Sequence, residues 1–280
     1  MTKDRKLRSS INEMEIINPD IKRGRVSFAI FDFDGTISLI REGWQDIMIP
    51  MMIEILMETP DHESRQEIEE LVKNFVTETT GKQTIYQMFR LVEEIEKRGG
   101  EAKDPLAYKH QYHQRLMEHI ADRRRGLREG KILVQEMVVP GSLEALEDIT
   151  SRGVTCFLAS GTDQKYVLEE AELLGVKKYF EEIYGALDAY EDYSKKMVIK
   201  RIIRENDLDG PELVAFGDGY VEIENTKVAH GIAVGVASNE SEREGIDKWK
   251  RSRLIASGAD IIIPDFRSYS QVRRYLQIKE

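Results

Sequence analysis

The sequence has 280 residues, 41% of them hydrophobic and 33% charged, which is typical of a soluble, folded protein with an ample core. Its formal net charge of −10 argues against nucleic-acid binding, so an anionic ligand would need local positive charge. The single cysteine excludes an internal disulfide, and the absence of an apolar leader or a long apolar segment predicts a cytoplasmic protein without a membrane partner.

The first structural signals lie near the N-terminus. Residues 1–24 form a polar extension that either is disordered or adds a short edge strand at 14–17. The apolar run 26–31 predicts a buried strand of a parallel sheet. Asp32 and Asp34 follow it two residues apart, so we expect both carboxylates to project together from the sheet edge where α/β proteins bind ligands.

The next stretch, from about residue 44 to 130, has helical periodicity and little strand character. Proline and glycine residues, among them Pro50 and Pro105, divide it into about four helices. A helical block inside a chain that otherwise alternates helices and strands predicts an inserted domain, to which we assign residues 43–134.

Strands and helices alternate from about residue 138, which predicts right-handed βαβ units and a mostly parallel sheet. Strands are predicted at 154–159, 213–216, 232–236 and 260–263, and helices at 140–150, 163–174, 195–206, between the last two strands and at the C-terminus. Three strands end in polar turns that contain glycine, at 32–36, 160–162 and 217–222. Because parallel strands end at one edge, these turns can converge in one cleft.

Four motifs resemble those of the haloacid dehalogenase-like superfamily of aspartyl-phosphate phosphatases. They are DFDGT at 32–36, LASGT at 158–162, YSK at 193–195 and FGDGYVE at 216–222. The helical block stands where phosphoglycolate-phosphatase-like members carry a helical cap. The resemblance implies a Rossmann-like α/β core of residues 25–42 and 135–280, with residues 43–134 as the cap.

The resemblance also implies roles for individual residues. Asp32 would be the nucleophile, and Asp34 the general acid and base. Lys195 would offset the carboxylate charge and hold phosphoryl oxygens, with Lys196 as the rival for that role. The phosphate-binding set would be Gly35, Thr36, Ser160, Gly161 and Thr162.

Magnesium is the implied cofactor, because a hard ion prefers oxygen ligands. It would be held by Asp32, the Phe33 carbonyl and Asp218, within an acidic set that also includes Asp34. Glu222 stands where the family more often has its second Asp, and would act through a bound water or by orienting a neighbour.

Outside the motifs, three positions allow two interpretations each. Arg41 either contacts a substrate carboxylate or second phosphate, or is a surface arginine. The loop 80–84 either binds an anion or sugar hydroxyl ahead of a helix or is an ordinary capped turn; its candidate contacts are Lys82, Gln83 and Thr84. The segment 248–251 is either an exposed amphipathic helix or lines the cleft.

Together with the resemblance, these features predict a Mg²⁺-dependent phosphatase that hydrolyses a small phosphomonoester through an aspartyl-phosphate. The resemblance alone implies the substrate class, a sugar phosphate or a phosphoglycolate-like acid. Two alternatives stay open: a phosphomutase of the same superfamily, and a non-catalytic binding protein on the same fold. No motif bears on the oligomeric state.

Overall fold

The computed structural model describes residues 14–188, 194–208 and 210–278. The chain divides into two compact units, one made of Met1–Glu42 and Gly126–Glu280 and the other of Gly43–Arg125. The smaller unit thus ends at Arg125 rather than at the predicted residue 134. Residues beyond it group with the larger unit because they pair there, as Arg128 does with Glu169 at 3.0 Å.

A seven-stranded sheet forms the centre of the larger unit. Its strands are β1 (Glu15–Ile16), β2 (Phe28–Phe31), β3 (Thr155–Asp163), β4 (Glu182–Ala186), β5 (Leu213–Gly217), β6 (Ile232–Val236) and β7 (Ile261–Ile263). Their spatial order is β1-β7-β6-β5-β2-β3-β4, and only β1 runs antiparallel to its neighbour. This confirms the predicted α/β fold with a mostly parallel sheet. The extension does contribute an edge strand, whereas residues 1–13 lie outside the described part of the chain.

Eleven α-helices occur in the described residues. They are α1 (Gln45–Leu56), α2 (Arg65–Thr79), α3 (Thr84–Lys97), α4 (Pro105–His119), α5 (Ala121–Arg128), α6 (Ser142–Ser151), α7 (Gln164–Leu173), α8 (Lys195–Glu205), α9 (Tyr220–Val228), α10 (Lys248–Ala256) and α11 (Tyr269–Leu276). Within the described ranges, no helix combines the length and apolarity needed to cross a membrane.

Strand β2 lies inside the sheet between β5 and β3, and its register fixes where the first acidic loop begins. Phe31 pairs with Leu158 of β3 on one side and with Phe216 of β5 on the other. The rings of Phe31 and Phe216 stack with centroids 4.8 Å apart, and both side chains are fully buried. Ile30 packs on the opposite face, against Ile199 and Ile202 of α8. Because different neighbours cover the two faces, a slip of β2 by one residue would move each of these side chains into the packing of the opposite face.

The structure differs from the predicted elements at three places. Strand β3 continues to Asp163 instead of ending at Ala159, and α1 contains Pro50, which we expected to interrupt it. Strand β4 has no counterpart in the prediction. It depends on tertiary contacts, because the Gln164 side chain hydrogen-bonds to the backbone of both Ile183 and Gly185.

The smaller unit is helical, as its periodicity predicted, with four complete helices and the first part of α5. Helix α2 begins with a capping box in which Ser64 and Glu67 exchange hydrogen bonds. Arg98, after α3, pairs with Glu63 at 2.6 Å and with Glu94 at 2.6 Å. These pairs hold the start of α2 against the end of α3.

Candidate active site

The first acidic loop is built around the Phe33 carbonyl, which accepts hydrogen bonds from the amides of Thr36, Ile37 and Ser38 at 3.3, 2.8 and 2.9 Å. The carbonyl oxygen that we expected to bind the metal is therefore occupied by three backbone amides, and we remove Phe33 from the predicted ligand set. The tight turn needs Gly35, whose φ is +73°. A Cβ on Gly35 would also overlap the Asp218 carboxylate.

Lys195 faces the acidic loop, and Lys196 does not. The Lys195 ammonium donates to Asp32 Oδ1 at 2.8 Å and also contacts Glu222 Oε1. All three side chains are buried, whereas Lys196 is exposed. Lys195 owes this position to the start of α8, where the Ser194 hydroxyl caps the helix by accepting from the Met197 amide at 3.1 Å. Tyr193 of the predicted third motif lies outside the described residues.

Burial dominates the electrostatics of this centre. It raises the pKa of Asp32 well above its usual range; Lys195 acts in the opposite direction, while the charges of Glu222 and Asp218 raise it further. Burial alone would lower the pKa of Lys195, but Asp32 and Glu222 outweigh it and raise that pKa. Lys195 is therefore a fixed ammonium, and the carboxylates around it exceed the positive charge that it supplies.

Asp34 is held by the last residues of β3. Thr162 donates its hydroxyl to Asp34 Oδ2 at 2.8 Å, and Ser160 Oγ lies 3.4 Å from the same oxygen. The Ser160 hydroxyl also accepts from the Thr162 amide at 3.0 Å, with Gly161 between them in the strand. The other oxygen, Asp34 Oδ1, is buried without a hydrogen-bond partner. The first and second motifs therefore meet, as their positions at strand ends predicted.

The loop after β5 joins the same edge of the sheet. The Asp218 amide donates to the Thr36 hydroxyl at 3.0 Å, which gives Thr36 a role in joining two loops. Glu222, at the start of α9, directs one oxygen to Lys195 and keeps the other buried without a hydrogen-bond partner. This contact agrees with the expectation that Glu222 orients a neighbour.

Sequence reasoning missed a buried ion pair beside Asp34. Arg41 donates to both oxygens of Glu170 in α7, at 2.9 and 2.8 Å, and its Nε lies 3.8 Å from Asp34 Oδ1. The Arg41 guanidinium also lies over the ring of Tyr166, 5.4 Å from its centroid. Arg41 is therefore not a surface arginine, and its guanidinium is engaged by protein groups. No spacing in the sequence links residues 41 and 170.

The segment 248–251, for which lining the cleft was one of the two expectations, reaches the site through Lys250, which lies in α10 and pairs with Asp218 at 2.7 Å. Its neighbours Lys248 and Trp249 are exposed, so both expectations for the segment 248–251 hold for part of it. Lys82, Gln83 and Thr84 belong to the smaller unit. Lys82 is exposed, Gln83 is buried at the start of α3 and Thr84 is half-buried, and their contact with substrate stays a prediction.

Residues 27–230 match the haloacid dehalogenase-like hydrolase family. The chain belongs to this family. No curated protein matches the sequence. Solved structures with the same fold include a predicted phosphoglycolate phosphatase from Haemophilus somnus, which is 16% identical with a TM-score of 0.60 and is aligned over 89% of this chain and 98% of its own.

Two further structures share the fold of this haloacid dehalogenase-like hydrolase. A β-phosphoglucomutase from Clostridium difficile is 13% identical with a TM-score of 0.60, aligned over 90% of this chain and 97% of its own. A predicted phosphatase from Clostridium acetobutylicum is 14% identical with a TM-score of 0.57, aligned over 89% of this chain and 98% of its own. Identities this low show the common fold and do not establish which substrate this chain binds.

Proposed function

We propose that this haloacid dehalogenase-like hydrolase is a Mg²⁺-dependent phosphatase that transfers the phosphoryl group of a small phosphomonoester to Asp32 and then to water. The observation that carries the proposal is the pairing of a buried carboxylate with a buried ammonium, Asp32 with Lys195 at 2.8 Å. Next to it, Asp34 is fixed by Thr162 at 2.8 Å. The nucleophile and the acid/base thus come from the loop after β2, and the cation comes from the start of α8.

In the first step, a carboxylate oxygen of Asp32 attacks phosphorus and the bond from phosphorus to the leaving oxygen breaks. Asp32 Oδ1 already accepts from Lys195 and from the Phe33 amide, both at 2.8 Å, so Oδ2 is the attacking oxygen. Asp34 gives its proton to the leaving oxygen, which departs as an alcohol.

In the second step, water attacks phosphorus of the aspartyl-phosphate, Asp34 takes a proton from that water, and the bond from Asp32 to phosphorus breaks to release phosphate. Lys195, the Ser160 hydroxyl and the Gly161 amide are assigned to the phosphoryl oxygens, where negative charge must be offset. Thr162 keeps Asp34 oriented in both steps.

The donor set suits a hard divalent cation. The candidate ligands Asp32, Asp34, Asp218 and Glu222 offer only carboxylate oxygens, the type that Mg²⁺ prefers. Two of these oxygens, Asp34 Oδ1 and Glu222 Oε2, are buried without hydrogen-bond partners. In the described residues, no group of three or more Asp, Glu, His or Cys side chains is arranged as a metal site. The ammonium groups of Lys195 and Lys250 lie among the carboxylates. When bound, Mg²⁺ would offset phosphoryl charge and reduce repulsion between Asp32 and the substrate.

A phosphate-release screen tests the function directly. Purified protein is incubated with sugar monophosphates and organic-acid monophosphates such as phosphoglycolate, with Mg²⁺ or with a chelator. We expect Mg²⁺-dependent release from at least one small monoester. A phosphorylated product without free phosphate would favour a phosphomutase, and no turnover of any compound would favour a binding protein.

Asp32→Asn tests the nucleophile. It should lower turnover by a factor on the order of 10³ or more, because the amide cannot form the acyl-phosphate. Asp20→Asn, at an exposed position of the same unit, makes the same change in charge and should retain wild-type turnover. Near-normal activity in Asp32→Asn would move the nucleophile elsewhere.

The adjacent lysines provide a second matched pair. Lys195→Met should lower turnover about 10²–10³-fold, the usual cost of removing a donor to a developing charge. Lys196→Met, one residue away and exposed, should change it little. Equal effects in the two variants would contradict the role assigned to Lys195.

A further inference from the structure

A second ammonium, that of the largely buried Lys250, lies at the same sheet edge as Lys195. Lys250 Nζ contacts Asp218 Oδ2 at 2.7 Å, Glu240 Oε1 at 2.6 Å and Ser238 Oγ at 3.2 Å. We call Lys250 with Asp218 and Glu240 the Lys250 bridge.

The Lys250 bridge is itself anchored from two sides. Asp247 caps α10 and accepts from the Lys250 amide at 2.8 Å, which fixes the start of the side chain. Ser238, after β6, donates its hydroxyl to the Gly35 carbonyl at 2.7 Å. The ammonium therefore lies between the loops that follow β2, β5 and β6. Its side chain is only 11% exposed, so water competes little for its donors.

Asp218 is restrained at both its backbone and its side chain. Its amide bonds to Thr36, and its Oδ2 lies so close to Gly35 that a methyl group there would overlap it. With Oδ2 held by Lys250, the remaining oxygen for a metal ion is Oδ1. Carboxylates that bind metals are commonly oriented in this way by a hydrogen bond to their second oxygen.

We propose that Lys250 is a positioning residue, which holds Asp218 through Oδ2 so that Oδ1 is presented to the divalent cation. The inference rests on the Mg²⁺ site of the proposed function. Glu240 completes it by balancing the Lys250 charge and by holding the ammonium at 2.6 Å. Lys250 thus acts on the metal through Asp218 and has no part in the transfer of the phosphoryl group.

Losing the Lys250 charge and losing the orientation of Asp218 would change the affinity for the cation in opposite directions, so the test must separate the two effects. Replacing Lys250 alone would make the site more negative and would attract a cation more strongly. The double variant Lys250→Met/Glu240→Gln removes one positive and one negative charge together, so the net charge is unchanged and only the bridge is lost. Lys248→Met/Glu244→Gln makes the same exchange at two exposed positions of the same segment and is the matched control.

Metal binding is measured directly, without substrate. Mn²⁺ is titrated into metal-free protein, the free ion is quantified by its EPR signal, and Mg²⁺ is added to displace it. We expect the double variant to bind Mn²⁺ about 10–100-fold more weakly than wild type, the usual effect of removing a partner of a metal ligand. The control variant should match wild type. Circular dichroism and thermal unfolding establish that each variant is folded.

The outcomes separate this inference from the proposed function. If wild-type protein binds Mn²⁺ and the folded double variant binds it equally well, Lys250 does not position Asp218 and the inference is overturned. If wild-type protein binds no Mn²⁺ that Mg²⁺ can displace, the metal site of the proposed function fails first. Should the double variant not fold, Lys250→Gln/Glu240→Gln keeps polar groups at both positions and should show the same weakening. Unfolding of both variants would assign the bridge to stability and would also overturn the inference.

Discussion

Removing the charge of Glu170 should destabilise the protein far more than removing an ordinary surface charge. The Glu170 side chain is fully buried and the Arg41 side chain is 6% exposed, and the two share hydrogen bonds of 2.9 and 2.8 Å. Glu170→Gln keeps the shape of the side chain but leaves the Arg41 guanidinium buried with less compensation. Breaking a buried pair in this way costs about 3–5 kcal/mol in the free energy of unfolding.

The size of this effect can be measured by urea unfolding and by thermal unfolding. For units of 150–250 residues, 1 kcal/mol corresponds to a change of about 2–4 °C in Tm, so a drop of about 6–20 °C is expected for Glu170→Gln. The matched control is Glu169→Gln, in the same helix. Glu169 pairs with Arg128, but those side chains are 43% and 58% exposed, so its loss should cost less than about 1 kcal/mol.

A double variant separates the cost of an unpaired charge from the value of the pair. Arg41→Met/Glu170→Leu removes both charges and should be close to wild type in stability, because apolar pairs often replace buried ion pairs at no cost. The reasoning would be refuted if Glu170→Gln unfolded within about 1 kcal/mol of wild type. It would equally fail if the double variant were as unstable as the single one.

Three further outcomes follow from single contacts. Gly35→Ala should abolish turnover and cost about 1–3 kcal/mol in unfolding free energy, because φ is +73° and the new methyl would overlap the Asp218 carboxylate; a stable, active variant would contradict the loop geometry. Thr162→Val should lower phosphate release about 10-fold, or about 1.4 kcal/mol, by removing the 2.8 Å bond to Asp34, whereas Thr162→Ser keeps the donor and should retain most activity. Burial raises the pKa of Cys156 to about 12, so the native thiol should not react with Ellman's reagent at pH 8, while the unfolded chain should react at this one cysteine.

The central parts of the site could be predicted from the sequence because each is local. Asp32 and Asp34 follow a continuous apolar run, and Ser160 follows another. Strands that are buried on both faces read as apolar runs, and parallel strands end at one edge, so these residues could be expected to meet. The choice between Lys195 and Lys196 depended on where α8 begins, and the structure places the Lys195 side chain against Asp32 and leaves Lys196 exposed.

The parts that could not be predicted depend on partners far apart in the chain. Arg41 and Glu170 are separated by 129 positions, and Lys250 meets Asp218 from a helix whose pattern resembles a surface helix. Strand β4 needs the Gln164 side chain to bond to its backbone, which no local propensity reveals. The Phe33 carbonyl was misassigned because the loop's own hydrogen bonds, rather than its sequence, decide which oxygens are free.

The position of β2 between β5 and β3 has a consequence for how the protein is made. Phe28 pairs with Thr155 and with Leu213, so both partners of this strand leave the ribosome long after it does. The insertion 43–125, by contrast, is built from contacts among its own helices, most of them between successive helices, and can form during that interval. Until the later strands arrive, the apolar segment at 28–31 has both backbone edges unpaired, which makes it a segment for chaperones to protect from aggregation.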